Sequence, residues 1–98
     1  MKELCYDVIL YAPIGERAGE IILLCDRGKV NGRLILLEQT TELEGTVDGE
    51  GNLEIEGEII TVMRKKSYSA RGRISDYDIY LTLVTKNNSY DLVGQRKK

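Results

Sequence analysis

Histidine and tryptophan are absent from the sequence, and proline occurs once, at Pro13. Without histidine the chain lacks the residue that most often serves as a general base, which argues against an enzyme. The single proline and the lack of any linker or low-complexity run predict one domain over residues 1–98. No apolar run approaches the roughly 20 residues that span a bilayer, and the start lacks the apolar segment of a signal peptide. We therefore expect a cytoplasmic protein that does not bind membranes.

Charge and cysteine content argue against further classes of partner. The formal net charge of −2 at pH 7 argues against nucleic acid, and the basic cluster Arg64–Lys66 is better interpreted as a solvated hairpin tip. Cys5 and Cys25 are too few and too far apart for a zinc site without histidine, so we expect no metal and no cofactor. If the first hairpin is centred near Gly15, the two cysteines lie opposite each other and a disulfide is conceivable. Free thiols are favoured in a cytosolic protein.

Alternation of apolar and polar residues with a period of two recurs along the chain, whereas helical periodicity is nowhere sustained. Turn-forming residues interrupt this alternation at intervals typical of antiparallel sheets. The turns are predicted near residues 13–18, 27–28, 38–40, 48–52, 64–67, 75–76 and 87–88. They separate eight strands, numbered in chain order, whose short connections favour an up-and-down meander. The pair Asn87 and Asn88 predicts a two-residue hairpin turn of the primed kind.

The apolar residues within each predicted strand share one parity, so one face of the sheet is expected to form the core. Glycines occupy inward positions in several strands, where a glycine usually marks a bend or a close backbone approach. Repeated inward glycines coil a sheet tightly enough to close it, which favours an all-β, eight-stranded antiparallel barrel, closed or nearly closed, over a flat sandwich. These glycines are Gly32, Gly45, Gly57, Gly72 and Gly94, and strand 7 is predicted to place Tyr77, Ile79, Leu81 and Leu83 inward.

This layout resembles the small up-and-down barrels of the calycin type. It is similar in particular to short bacterial proteins of no assigned activity that begin with YDVILY-x-PIG, residues 6–15 here, followed by glycine-punctuated hairpins. The resemblance implies the barrel fold, and these proteins offer no assigned activity to carry over. The Gly-x-Trp that lipocalins carry near the first strand is absent because the chain has no tryptophan, so the resemblance does not imply ligand binding.

Matching inward residues across hairpins also predicts neighbours on the outer face. Glu44 is expected opposite Glu56, and Glu58, Arg73 and Asp78 are expected in one row across strands 5 to 7. The acidic excess of strands 4 and 5 could serve as a docking surface for a basic partner or as a weak cation site. A solvated outer face that discourages edge pairing is the favoured interpretation.

Strands 1 to 3 leave large apolar side chains on the outer face, in contrast to the charged strands 4 to 7. This assignment takes Tyr6, Val8 and Leu10 as inward; with the opposite parity of strand 1, part of the patch moves to Tyr6 and Val8. Soluble monomers rarely expose a patch of this size, so we predict an interface with a second copy, most simply in a homodimer. The predicted interface residues are Ile9, Tyr11, Ile22, Leu24, Ile35 and Leu37.

The interior of an eight-stranded barrel is just wide enough to be filled by side chains or to hold one small ligand. Residues near the turns of strands 5 to 8 either line a mouth for a small apolar ligand or plug that end of the barrel. They are Met63, Tyr68, Thr85 and Tyr90. The sequence thus predicts a non-enzymatic interaction or structural module that self-associates, with carriage of a small apolar ligand as the alternative.

Overall fold

Eight antiparallel strands close into a barrel in a computed structural model that describes residues 2–12, 15–36, 39–61, 64–86 and 88–97. The strands are β1 Lys2–Ala12, β2 Gly15–Asp26, β3 Lys29–Leu36, β4 Gln39–Val47, β5 Asn52–Thr61, β6 Arg64–Ile74, β7 Asp78–Val84 and β8 Ser89–Arg96. Each strand pairs with the next, and β1 also pairs with β8. The predicted closed up-and-down barrel is confirmed. Among the described residues there is no helix that could cross a membrane.

Alternate residues of every strand fill the interior of the barrel. In β1, Tyr6 is 0% exposed and Leu10 is 5% exposed, which establishes that the first strand has the favoured parity. In β7, Ile79 and Leu81 are fully buried as predicted. The inward assignment of Tyr77 is wrong: this residue is 81% exposed because it belongs to the bend that precedes β7.

Inward glycines let neighbouring strands approach more closely than any side chain would allow. At Gly72 of β6, a Cβ atom would overlap the main-chain oxygen of Tyr80 on β7, and at Gly45 of β4 it would overlap that of Glu54 on β5. Such backbone contacts are expected where a sheet is coiled strongly to close on itself. The glycines therefore permit the curvature of the barrel.

The primed hairpin turn occurs between β2 and β3, and not at the predicted asparagine pair. Arg27 and Gly28 have φ values of 53° and 83°, and the flanking Asp26 and Lys29 are paired, as a two-residue type I′ turn requires. The connection between β7 and β8 instead spans residues 85–88. A primed turn of type I′ needs a positive φ at both central residues, and neither Lys86 nor Asn88 has one. The prediction of a primed turn at 87–88 is therefore wrong. Asn87 itself lies outside the described residues.

The connection between β5 and β6 lies earlier in the chain than predicted. Strand β5 ends at Thr61 and β6 begins at Arg64, so the basic residues 64–66 belong to a strand and do not form a hairpin tip. Lys65 pairs with Ile60 in the ladder, and its Nζ lies 3.4 Å from a carboxylate oxygen of Glu58. The turn prediction failed because the connecting residues, Val62 and Met63, do not carry the polar signature of a turn.

This displacement changes the register that the sequence predicted for the outer face. Glu58 pairs with Ser67, and Arg73 pairs with Asn52. The predicted row of Glu58, Arg73 and Asp78 is therefore wrong. The observed register instead places large residues of one strand opposite small residues of the other on the inner face of β5 and β6.

The two cysteines lie too far apart in register to form the conceivable disulfide. Cys5 pairs with Ile22 and Cys25 pairs with Lys2, because the hairpin of β1 and β2 is centred between residues 13 and 14, and not at Gly15. Cys5 shares the outer face with Ile22, whereas Cys25 packs against the core. Both thiols are free.

The side chain of Asp48 organises the connection between β4 and β5. Its carboxylate accepts hydrogen bonds from the main-chain nitrogens of Glu50 and Asn52, at 2.9 and 3.0 Å, and from Asn52 Nδ2 at 2.8 Å. The side-chain hydrogen bond from Asn52 is the largest of the interactions that hold the pKa of Asp48 below its ordinary value of 3.8. These bonds favour the ionised carboxylate.

We expect the stabilisation contributed by Asp48 to disappear in acid. A carboxyl group whose pKa is lower in the folded state stabilises the fold above its unfolded pKa, and the contribution is lost as the pH falls through the folded pKa. Melting curves of the protein and the Asp48→Ala variant should therefore differ more at about pH 6 than at about pH 2.5. An equal difference at both pH values would contradict this assignment.

Candidate functional site

The structure places the described members of the predicted interface on the outer face of the barrel. Ile9 and Tyr11 of β1 are 37% and 41% exposed. Ile22 and Leu24 of β2, together with Ile35 of β3, are half-buried by their neighbours on that face. Leu37 lies outside the described residues.

A row of charged residues divides this set into two parts. Asp7 of β1 pairs with Glu20 of β2, between the pairs formed by Ile9 on one side and Ile22 on the other. Lys97 Nζ lies 2.7 Å from Glu20 and 3.8 Å from Asp7, and its hydrogen bond to Glu20 raises the pKa of Lys97. The outer face of β1 to β3 is therefore not one continuous apolar patch.

Ile9 instead belongs to an apolar row that runs across β2, β1, β8 and β7. Cross-strand pairing places Ala18 beside Ile9, Ile9 beside Val93, and Val93 beside Tyr80. Tyr80 is 50% exposed, Val93 is half-buried, and all four residues line one surface groove. We call these four residues the apolar row. The contribution of Val93 and Tyr80 could not be predicted from the sequence, because only closure of the barrel brings β8 next to β1.

The acidic residues of β4 and β5 lie on the opposite side of the barrel. Glu44 pairs with Glu56 as predicted, so two like charges face each other across the strands. Arg71 Nε lies 3.4 Å from a carboxylate oxygen of Glu54. Within the described residues, no group of three or more acidic or cysteine side chains could hold a metal ion.

The described members of the predicted ligand site lie inside one end of the barrel. Tyr68 of β6 is 4% exposed, Tyr90 of β8 is 8% exposed, and Thr85 is 9% exposed. The hydroxyl of Thr85 lies 3.2 Å from both the main-chain oxygen and the main-chain nitrogen of Asn88, so it is satisfied within the loop. Met63 lies outside the described residues.

The hydroxyl of Tyr68 is buried without a hydrogen-bond partner among the described residues. Tyr68 pairs with Gly57 of β5, and its ring occupies the space that a side chain would fill there: a Cβ atom at Gly57 would lie 2.8 Å from the hydroxyl oxygen. Burial raises the pKa of Tyr68 well above its ordinary value, so the group is neutral at physiological pH. A buried hydrogen-bond donor thus remains available inside the barrel.

Comparisons with known proteins identify structural neighbours and no relatives by sequence. No protein-family model matches the chain, and no curated protein matches it. A redesigned β barrel superimposes with a TM-score of 0.63 and 8% identity, over 96% of this chain and 89% of that chain. A redesigned β barrel bound to DFHBI gives a TM-score of 0.64 and 10% identity, over 96% and 92%. A de novo designed fluorescence-activating β barrel gives 0.58 and 10%, over 95% and 91%.

These neighbours share the eight-stranded antiparallel barrel with this chain. Their identities of 8 to 10% support the fold alone. The relation to calycin-type bacterial barrels stays a prediction from the sequence.

Proposed function

We propose that the protein is a non-enzymatic interaction module that associates with a second copy of itself through the outer face around β1. The observation that carries this proposal is the apolar row, with Tyr11 next to it. Closure of the barrel removes the free sheet edges, so association by strand addition is not available and a partner must contact a face. An apolar face is the surface on which burial provides a driving force.

A two-fold contact suits this surface because it uses each exposed apolar side chain twice. Stable interfaces bury about 800 Å² on each partner, with an apolar centre and a polar rim. The apolar row would form the centre, and charged neighbours such as Asp7 and Asp91 would lie towards the rim. Of the residues predicted from the sequence, Ile9 and Tyr11 belong to this contact.

Lysine substitutions test which face associates. The variant Ile9→Lys, Tyr80→Lys places two charges in the apolar row and should give a folded monomer in sedimentation at tens of micromolar, where the unmodified protein is a dimer. The variant Ile22→Lys, Ile35→Lys adds the same charge away from the apolar row, at Ile22 on the far side of the Asp7–Glu20 pair and at Ile35 beside Glu20, and should remain a dimer. Circular dichroism verifies that each variant is folded.

Two outcomes would contradict the proposed contact. A monomeric unmodified protein would exclude self-association at this concentration. A dimer that is lost only in the Ile22→Lys, Ile35→Lys variant would move the contact to β2 and β3.

Carriage of a small apolar ligand inside the barrel is a second candidate function. The hydroxyl of Tyr68, which has no hydrogen-bond partner among the described residues, favours it, because such a group gains a hydrogen bond when a ligand supplies an oxygen or nitrogen acceptor. One structural neighbour of this fold is a redesigned barrel bound to DFHBI. Native mass spectrometry of protein purified without added ligand should then reveal a retained small molecule.

A further inference from the structure

Among the described side chains, two cations occupy inward positions at the end of the barrel that contains Tyr68. Arg17 of β2 pairs with the buried Leu10, and Lys66 of β6 pairs with the buried Ile59. Directly paired residues of antiparallel strands project from the same face of the sheet. Arg17 and Lys66 therefore belong to the inner face, and both are half-buried.

Neither cation has an acidic partner among the described residues. Within this part of the chain, Arg17 Nη1 donates a hydrogen bond to the main-chain oxygen of Glu16, at 3.0 Å. In the described parts of the eight strands, every Asp and Glu has the outward parity. Among the described residues, the inner face at this end therefore carries positive charge without a neighbouring acid.

The opposite end of the barrel provides a contrast. Lys2 and Arg96 also have inward parity, since they pair with Cys25 and Tyr6. Asp76, in the bend between β6 and β7, lies 3.5 Å from Lys2 and 3.9 Å from Arg96. The protein thus supplies an acidic partner for the inward cations at one end and none, within the described residues, at the other.

We propose that the end of the barrel around Tyr68 binds a small organic anion with an apolar body, with Arg17 and Lys66 facing its charge and the Tyr68 hydroxyl donating to one of its oxygens. This inference rests on the ligand carriage proposed above. Leu36 and Ile59 provide apolar walls at the same end. Positive charge in a cleft with low-dielectric walls attracts an anionic ligand more strongly than the same charge on an open surface.

Two fluorescent probes, one anionic and one neutral, test whether binding inside the barrel requires a negative charge on the ligand. The probes are 1-anilinonaphthalene-8-sulfonate, an anion with an apolar body, and N-phenyl-1-naphthylamine, its neutral counterpart. We expect the anion to bind at least about tenfold more tightly. Because both probes can also adsorb to the apolar row, amide shifts in NMR spectra locate them, and shifts should appear at Gly57 and Tyr68, not at Ile9 and Val93.

Two double variants of equal net charge test the role of the inward cations. Arg17→Gln with Lys66→Gln should weaken binding of the anionic probe at least about tenfold and leave the neutral probe unchanged. Lys65→Gln with Arg71→Gln removes two cations of the outer face and should change the affinity for the anion less than about twofold, since exposed charges are screened.

Each alternative outcome overturns a defined part of the proposal. If both double variants weakened binding of the anionic probe equally, the effect would be one of general charge, and the proposed site would be overturned. Equal affinities for both probes inside the barrel would overturn the anion requirement while ligand carriage stands. Shifts confined to the outer face, or no shifts at all, would overturn both the anion site and ligand carriage.

Discussion

Replacing Gly72 by alanine is expected to destabilise the barrel by at least about 3 kcal/mol, beyond the usual range for overpacking of a core. The added Cβ would overlap the main-chain oxygen of Tyr80 and lie 2.7 Å from its carbonyl carbon and 2.8 Å from the Cα of Leu81. All three are backbone atoms, so no change of rotamer relieves the contact. The strands β6 and β7 would have to separate at this position.

The variant Gly49→Ala is the matched control for this prediction. A Cβ at Gly49 meets no atom within 4 Å, and its φ is not in the left-handed region, so its free energy of unfolding should change by less than about 0.5 kcal/mol. Urea unfolding followed by circular dichroism measures both variants. If Gly72→Ala were as stable as Gly49→Ala, the close approach of β6 and β7 would be wrong.

The fold could be predicted from the sequence because alternation and inward glycines are local signals. Leu53 and Ile55, for example, are buried at the parity that their strand predicts. Inward glycines such as Gly72 indicated closure correctly, since a glycine among core residues usually marks a bend or a close approach of a neighbouring strand. These features need no knowledge of which strands are neighbours.

Register and the outer surface could not be predicted with the same success. The connection between β5 and β6 falls at Val62 and Met63, which carry no turn signal in the sequence, and the error displaced the predicted pairing of Glu58 with Arg73. The apolar row depends on the pairing of Ile9 with Val93, and those residues are brought together only when the barrel closes. Contacts on the outer surface between the first and last strands therefore exist only in the closed barrel.

The site inside the barrel was only partly predictable. The positions of Tyr68 and Tyr90 follow from their parity, which the sequence shows. Parity does not predict that the hydroxyl of Tyr68 lacks a hydrogen-bond partner among the described residues, because the orientation of the ring is set by the space above Gly57. The inward parity of Arg17 became visible only with the observed start of β2, since the sequence placed residues 13–18 in a turn.

Replacing Tyr68 by phenylalanine is expected to stabilise the ligand-free protein, whereas the same change at Tyr6 is expected to destabilise it. An unpaired buried polar group costs about 1 to 3 kcal/mol, and Tyr68→Phe removes that cost while it keeps the ring over Gly57. The Tyr6 hydroxyl donates to the main-chain oxygen of Ser75 at 2.8 Å, so Tyr6→Phe loses about 0.5 to 1.5 kcal/mol of hydrogen bonding.

The two tyrosines form a matched pair because both are buried at inward positions, 4% and 0% exposed, and lose the same single atom. Burial raises the pKa of both, so neither hydroxyl is ionised at neutral pH and the comparison is free of charge effects. Urea unfolding should shift the midpoint upwards for Tyr68→Phe and downwards for Tyr6→Phe, with unchanged slopes. A loss at Tyr68 comparable to that at Tyr6 would contradict the prediction, because it would mean that the Tyr68 hydroxyl has a hydrogen-bond partner in solution.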